Sequence, residues 1–113
     1  MTVDQLIGKI YNRLRKADIA NTEGRIAIQF NLTGETSGVF YVEILNGVLS
    51  VMPYEYIDHD AIISGTITNI DKLFEGSLSA QVAWAESKIT IEGNVDKVTA
   101  LAELVKAELE LEK

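Results

Sequence analysis

The chain has no cysteine, so disulfides, thiolate metal sites and cysteine nucleophiles are excluded together. It has one histidine, His59, and one proline, Pro53. Positive charge is scarce: ten Lys and Arg stand against seventeen Asp and Glu, for a formal net charge of −7. That sign disfavours any partner presenting rows of phosphates, so no nucleic-acid role is expected. No apolar run approaches the ~20 residues of a membrane span, and MTVDQLIGKI lacks the apolar core of a signal peptide. A soluble, cytoplasmic protein is the expectation.

Catalytic signatures are missing too. There is no GxSxG and no phosphate-cradling glycine loop, and Ser50, Ser64, Ser77, Ser79 and Ser87 stand in no nucleophile-and-base pattern. Asp58-His59-Asp60 is the one cluster that invites a metal or acid–base reading. Adjacent side chains on an extended segment point to alternate sides instead of converging, so it reads as a solvated loop. Neither an enzyme nor a metal or other cofactor is expected.

What is present is a 113-residue chain, 47% hydrophobic, enough for one core and one domain over 1–113. Val3, Leu6, Ile7, Ile10 and Leu14 recur at helical spacing, and Thr2 with Gln5 forms a capping-box pattern. Met1 to Arg25 holds five basic residues against three acidic, a stripe that could touch an anionic membrane but more commonly marks a solvated helix face. Asn21-Thr22-Glu23-Gly24 ends the helix.

Arg25 to Thr33 alternates as a strand with Ile26, Ile28, Phe30 and Leu32 on one face, and Val39 to Leu45 continues with Phe40, Val42 and Ile44. Asn46-Gly47 predicts a type I′ hairpin turn into a third strand, Val48 to Met52. Tyr54 to Asp60 fits no element. A fourth strand spans Ala61 to Ile67, a short helix Asn69 to Glu75 with Leu73 and Phe74 inward, and Gly76 stops it. Ser77 or Ser79 caps a second short helix carrying Leu78, Val82 and Trp84. Ile89 and Ile91 face inward on a fifth strand, Lys88 to Glu92. The helix from Val95 to Leu111 bears Val98, Leu101, Ala102, Val105 and Leu109 on one stripe, widened by Leu104 and Leu111. Glu108, Glu110 and Glu112 crowd its end with the wrong sign for the helix dipole, so the last turn is expected to fray.

This element order resembles the sterol carrier protein (type 2) family. Ile28-Gln29-Phe30-Asn31-Leu32-Thr33-Gly34 and Gly38-Val39-Phe40-Tyr41-Val42-Glu43-Ile44 look like that family's first hairpin. Leu73-Phe74-Glu75-Gly76-Ser77-Leu78, then Ala80 to Trp84, then Lys88-Ile89-Thr90-Ile91-Glu92-Gly93-Asn94 resemble its distal half. The likeness covers roughly Glu23 to Leu104. Phe40 stands where the family often has tryptophan, Val51 to Asp60 matches no pattern, and the final Leu-Glu-Lys lacks the family's peroxisomal tripeptide.

The resemblance implies an α+β fold with a five-stranded mixed, mostly antiparallel sheet and helices on one face. It implies non-enzymatic binding or transfer of a fatty acid, acyl ester or sterol-like lipid in an internal hydrophobic tunnel. The implied lining is Phe30, Leu32, Phe40, Val42, Leu73, Phe74, Leu78, Val82, Trp84, Leu101, Leu104 and Val105. Tyr54 and Tyr56 could offer hydroxyls to a head group at its mouth, although exposed edge aromatics after a strand are the blander reading. The final helix is the candidate lid. The competing reading is a protein-interaction or dimerisation module with a filled core, its terminal apolar stripe serving as the interface. Transient membrane contact through the first helix and a homodimer are the further associations the sequence allows.

Overall fold

In the computed structural model, which describes residues 1–22 and 24–111 and omits the side chains of Asn21, Glu108, Glu110 and Leu111, four helices and five strands follow one another. These are α1 (Val3–Leu14), β1 (Arg25–Thr33), β2 (Gly38–Leu45), β3 (Val48–Met52), β4 (Ala61–Thr66), α2 (Ile67–Glu75), α3 (Ala80–Ala85), β5 (Ile89–Gly93) and α4 (Val95–Leu111), with a 3-10 turn at Ile19–Asn21. The expected charge effect of Glu108, Glu110 and Glu112 and the contribution of Leu111 lie outside the described residues.

Local chemistry accounts for the boundaries. The Thr2 hydroxyl accepts from the Gln5 amide at 3.1 Å while the Gln5 side chain accepts from the Thr2 amide at 2.8 Å, closing the capping box. Asn46 and Gly47 both take positive φ, 49° and 82°, as a type I′ turn requires. Thr66 caps α2, so β4 ends one residue earlier than the pattern predicts and Ile67 opens the helix. Gly76 ends α2 in the left-handed region at φ 84°. Ser79, not Ser77, caps α3, which leaves Leu78 in the connection before it.

The sheet order is β3-β2-β1-β4-β5, with β1 and β4 parallel and every other pair antiparallel. Alternation puts Ile26, Ile28, Phe30 and Leu32 of β1 beside Phe40, Val42 and Ile44 of β2 on one face. These side chains join Leu6, Ile10 and Leu14 of α1, Ile70 and Phe74 of α2, and Val98, Leu101 and Val105 of α4 in one continuous core. Helices therefore cover a single face, and the fold is α+β.

The other face of β1 is buried too, against the expectation of one buried face: Ala27 is inaccessible and Gln29 is buried with it. The cause is the segment from 53 to 60, which crosses that face as a strap. Asp60 donates its amide to the Ala27 carbonyl and accepts the Ala27 amide on Oδ2, both at 2.8 Å. The Tyr56 amide donates to Gln29 Oε1 at 2.9 Å, and its ring meets Tyr41 edge-on at 5.0 Å. Polar sequence and an absence of periodicity conceal this role, because the strap is held by specific hydrogen bonds and not by an apolar stripe.

Candidate functional site

The helical face is not filled. A cleft of about 570 Å³ lies between α4 on one side and α2, α3 and their connection on the other. Its floor is an in-register row across three strands, Phe30 of β1, Ile63 of β4 and Ile91 of β5. One wall is the flank of α4 from Val95 to Leu109, and at 1.5 Å per residue that wall runs ~21 Å. Leu73, Phe74, Gly76, Leu78 and Trp84 form the opposite wall.

The gap arises from small side chains at positions where larger ones would close it. Gly76, Ser79, Ala80, Thr99 and Ala102 all border it. At six residues α3 is only ~9 Å long, too short to cover α4, and it packs on β5 instead. The space is accordingly a half-open cleft, not an enclosed tunnel, and Trp84 at its mouth is 44% exposed. Gln81, Glu103 and Lys106 supply a polar rim around an apolar interior.

Of the residues implied by the family resemblance, Phe30, Leu73, Phe74, Leu78, Trp84, Leu101 and Val105 border this cleft. Leu32, Phe40 and Val42 do not: they are buried solidly beneath the helices, within the core. Leu104 packs on the core away from the cleft, and Val82 points outward, 47% exposed, because Ala83 is the α3 residue turned inward. The sequence reading missed Ile63, Ile91, Val95 and the small residues Gly76 and Ala102 as lining. The first two were legible only once strand register was known, whereas an alanine on the apolar stripe of α4 was a visible signal.

Tyr54 and Tyr56 are not at the mouth. Tyr56 lies on the opposite face of the sheet, its hydroxyl donating to Glu43 Oε2 at 2.6 Å, and Tyr54 is exposed outside the cleft. The Glu43 hydrogen bond, with burial adding to it, raises the Tyr56 phenol above its ordinary range. Asp58 and Asp60 pair with Arg25 at 3.2 and 3.0 Å, and His59 Nδ1 lies 2.8 Å from the Tyr56 carbonyl. The Asp60 hydrogen bond raises the Arg25 guanidinium's pKa further. The cluster is thus a fastening for the strap. Among the described residues no group of His, Asp and Glu could hold a metal ion, and no helix is long and apolar enough to cross a membrane.

The basic stripe of α1 is partly neutralised by α2. Lys9 Nζ lies 2.8 Å from both Asp71 Oδ1 and Glu75 Oε1. Its hydrogen bonds to these carboxylates raise the ammonium pKa, and the same contact lowers that of Glu75.

A half-buried apolar cleft on the helical side of such a sheet can be compared with known proteins. The sequence profile of the SCP-2 sterol transfer family matches residues 3–106. The chain belongs to this family. Solved structures agree in fold: sterol carrier protein 2 from Aedes aegypti in complex with palmitate superposes with a TM-score of 0.72 at 21% identity, over 93% of this chain and 96% of that one. The apo sterol carrier protein 2 from Yarrowia lipolytica gives 0.60 at 22% identity, over 90% of this chain and 74% of that one. A stereoselective inverting sec-alkylsulfatase from Pseudomonas sp. gives 0.70 at 15% identity over 79% of this chain, which spans only 14% of the sulfatase. No curated protein sequence matches significantly. The SCP-2 fold is therefore shared by free-standing carriers and by part of a larger enzyme.

Proposed function

We propose that the protein binds a single-chain apolar lipid, a fatty acid or acyl ester, in the cleft beside α4 and carries it without catalysis. The observation that carries this reading is the cleft itself: about 570 Å³, apolar within and polar only at its rim, inside the range of ~300–1,000 Å³ typical of small-molecule sites. Its length suits such a ligand. A C–C bond of ~1.5 Å advances an extended chain by ~1.25 Å, so ~21 Å accommodates about sixteen carbons. Supporting it further, the palmitate complex of the Aedes aegypti carrier shares the fold.

Burial of methylenes supplies the affinity. Each contributes ~0.8 kcal/mol, so about fifteen give ~12 kcal/mol before association costs, enough for micromolar binding or tighter. The lining offers no nucleophile paired with a base, which favours carriage over chemistry. Among the described residues of the α4 stripe, Val98, Leu101 and Val105 are buried and Ala102, Leu104 and Leu109 half-buried, which leaves little for the alternative of a dimer interface.

Native mass spectrometry of the purified protein tests this directly. The expected result is co-purifying lipid of mass corresponding to one acyl chain, with Trp84 emission shifting blue on titration with fatty acid because the guest covers its exposed edge. A ligand-free protein whose Trp84 emission ignores added fatty acid would reject the proposal.

A further inference from the structure

The cleft is closed on its inner side by an aromatic block. The register row that forms its floor continues beyond it: Phe40, Phe30, Ile63 and Ile91 follow one another across β2, β1, β4 and β5. The open space borders the last three and stops at Phe30. Behind Phe30 the Phe40 ring is stacked face to face, centroids 4.8 Å apart and planes 5° from parallel, with no exposed surface. Phe74 descends from α2 onto the Phe30 ring at 5.7 Å and 56°.

We propose that Phe30 and Phe74 are the specificity-determining residues of the cleft, setting the largest apolar guest it admits. The proposal rests on the lipid-binding reading above. Aliphatic walls adapt by rotamer changes, whereas a ring held between a second ring and a third has nowhere to turn. Phe30 is held in this way by Phe40 and Phe74. Beyond it the next strand lies ~4.8 Å further in, so shrinking either wall residue extends the space toward β2. Ile63 is directly opposite Phe30 on the floor, and a larger side chain there narrows the same space.

The sign of the effect is thus opposite for the two kinds of substitution. Each further methylene admitted is worth about a fourfold gain in affinity. The test measures dissociation constants for saturated fatty acids of even chain length from ten to twenty carbons, by Trp84 fluorescence, in wild type, Phe74→Leu, Phe30→Leu and Ile63→Phe. Phe74→Leu is the primary variant, because Phe74 sits on the outer helical layer and leaves the sheet intact. The expected result is an optimum about two carbons longer in the leucine variants, with the ratio of long-chain to short-chain affinity raised about 16-fold, and a shorter optimum in Ile63→Phe. An unchanged optimum in Phe74→Leu and Ile63→Phe, both melting cooperatively, overturns the proposal while leaving lipid binding intact. Failure of wild type to bind any chain in the series overturns both readings together.

Discussion

Ala102→Phe separates a real void from a merely loose core, because the two predict opposite signs for stability. Ala102 sits on the flank of α4 and borders the cleft. If the space is empty in the unliganded protein, the new ring enters it without displacing a neighbour. Burying most of a phenylalanine side chain contributes ~1.5–3 kcal/mol, and the lower helix propensity of phenylalanine takes back ~0.5 kcal/mol. The net gain of ~1–2.5 kcal/mol raises the melting temperature of a chain this size by roughly 4–10 °C. The ring also occupies space that roughly four methylenes would fill, at ~0.8 kcal/mol each, so fatty-acid affinity falls on the order of 100-fold. Differential scanning calorimetry of delipidated protein and fluorescence titration measure the two quantities on one sample. Loss of ~1–3 kcal/mol, the usual cost of overpacking a filled core, together with unchanged affinity, would refute the argument.

Gly76→Ala should destabilise the fold by ~2 kcal/mol and alter lipid affinity, since position 76 needs φ 84° and an added Cβ would collide with Leu109 Cδ1 at the end of the cleft; denaturant melts and the same titration check it. Arg25→Ala removes the fork to Asp58 and Asp60, so amide exchange at Tyr56 and Asp60 should quicken and stability fall by ~2 kcal/mol, with fatty-acid affinity unchanged because the strap lies on the other face. Tyr56 has its folded-state pKa raised above the ordinary ~10, so its contribution is complete below pH ~10 and lost as pH rises through the folded value. Stability should therefore fall on the alkaline side, and Tyr56→Phe should flatten that limb in pH-dependent urea melts, leaving the share due to Lys9, whose pKa is also raised. Glu75 is lowered, so its contribution is present above pH ~4.5 and declines as pH falls through the folded value; Glu75→Gln should reduce the acid-side slope.

The chain's own periodicity was sufficient for β1, β3 and α4, whose bounds match the sequence pattern, and for the Asn46-Gly47 turn, whereas α1 stops at Leu14, ahead of the turn formers at Asn21 to Gly24. Each of these is specified within its own segment, by a cap, a glycine or an alternation that needs no distant partner. The cleft was legible only in part. Phe30, Phe74, Leu78 and Trp84 border it as the family resemblance implies, but Phe40 and Val42 carry the same inward alternation and are packed solid. Periodicity says which face a side chain takes and nothing about what stands opposite it.

Sequence alone thus determined the order and type of the elements and the wet and dry faces of nearly all of them, because those follow from local dihedral preferences and from alternation. Tertiary structure decided the parallel pairing of β1 with β4, the strap over Ala27 and Gln29, and the place where the apolar surfaces fail to meet. A void is a property of two surfaces at once: the shortness of α3, the small residues on α4 and the ring stack at Phe30 leave space only when the fold brings them together.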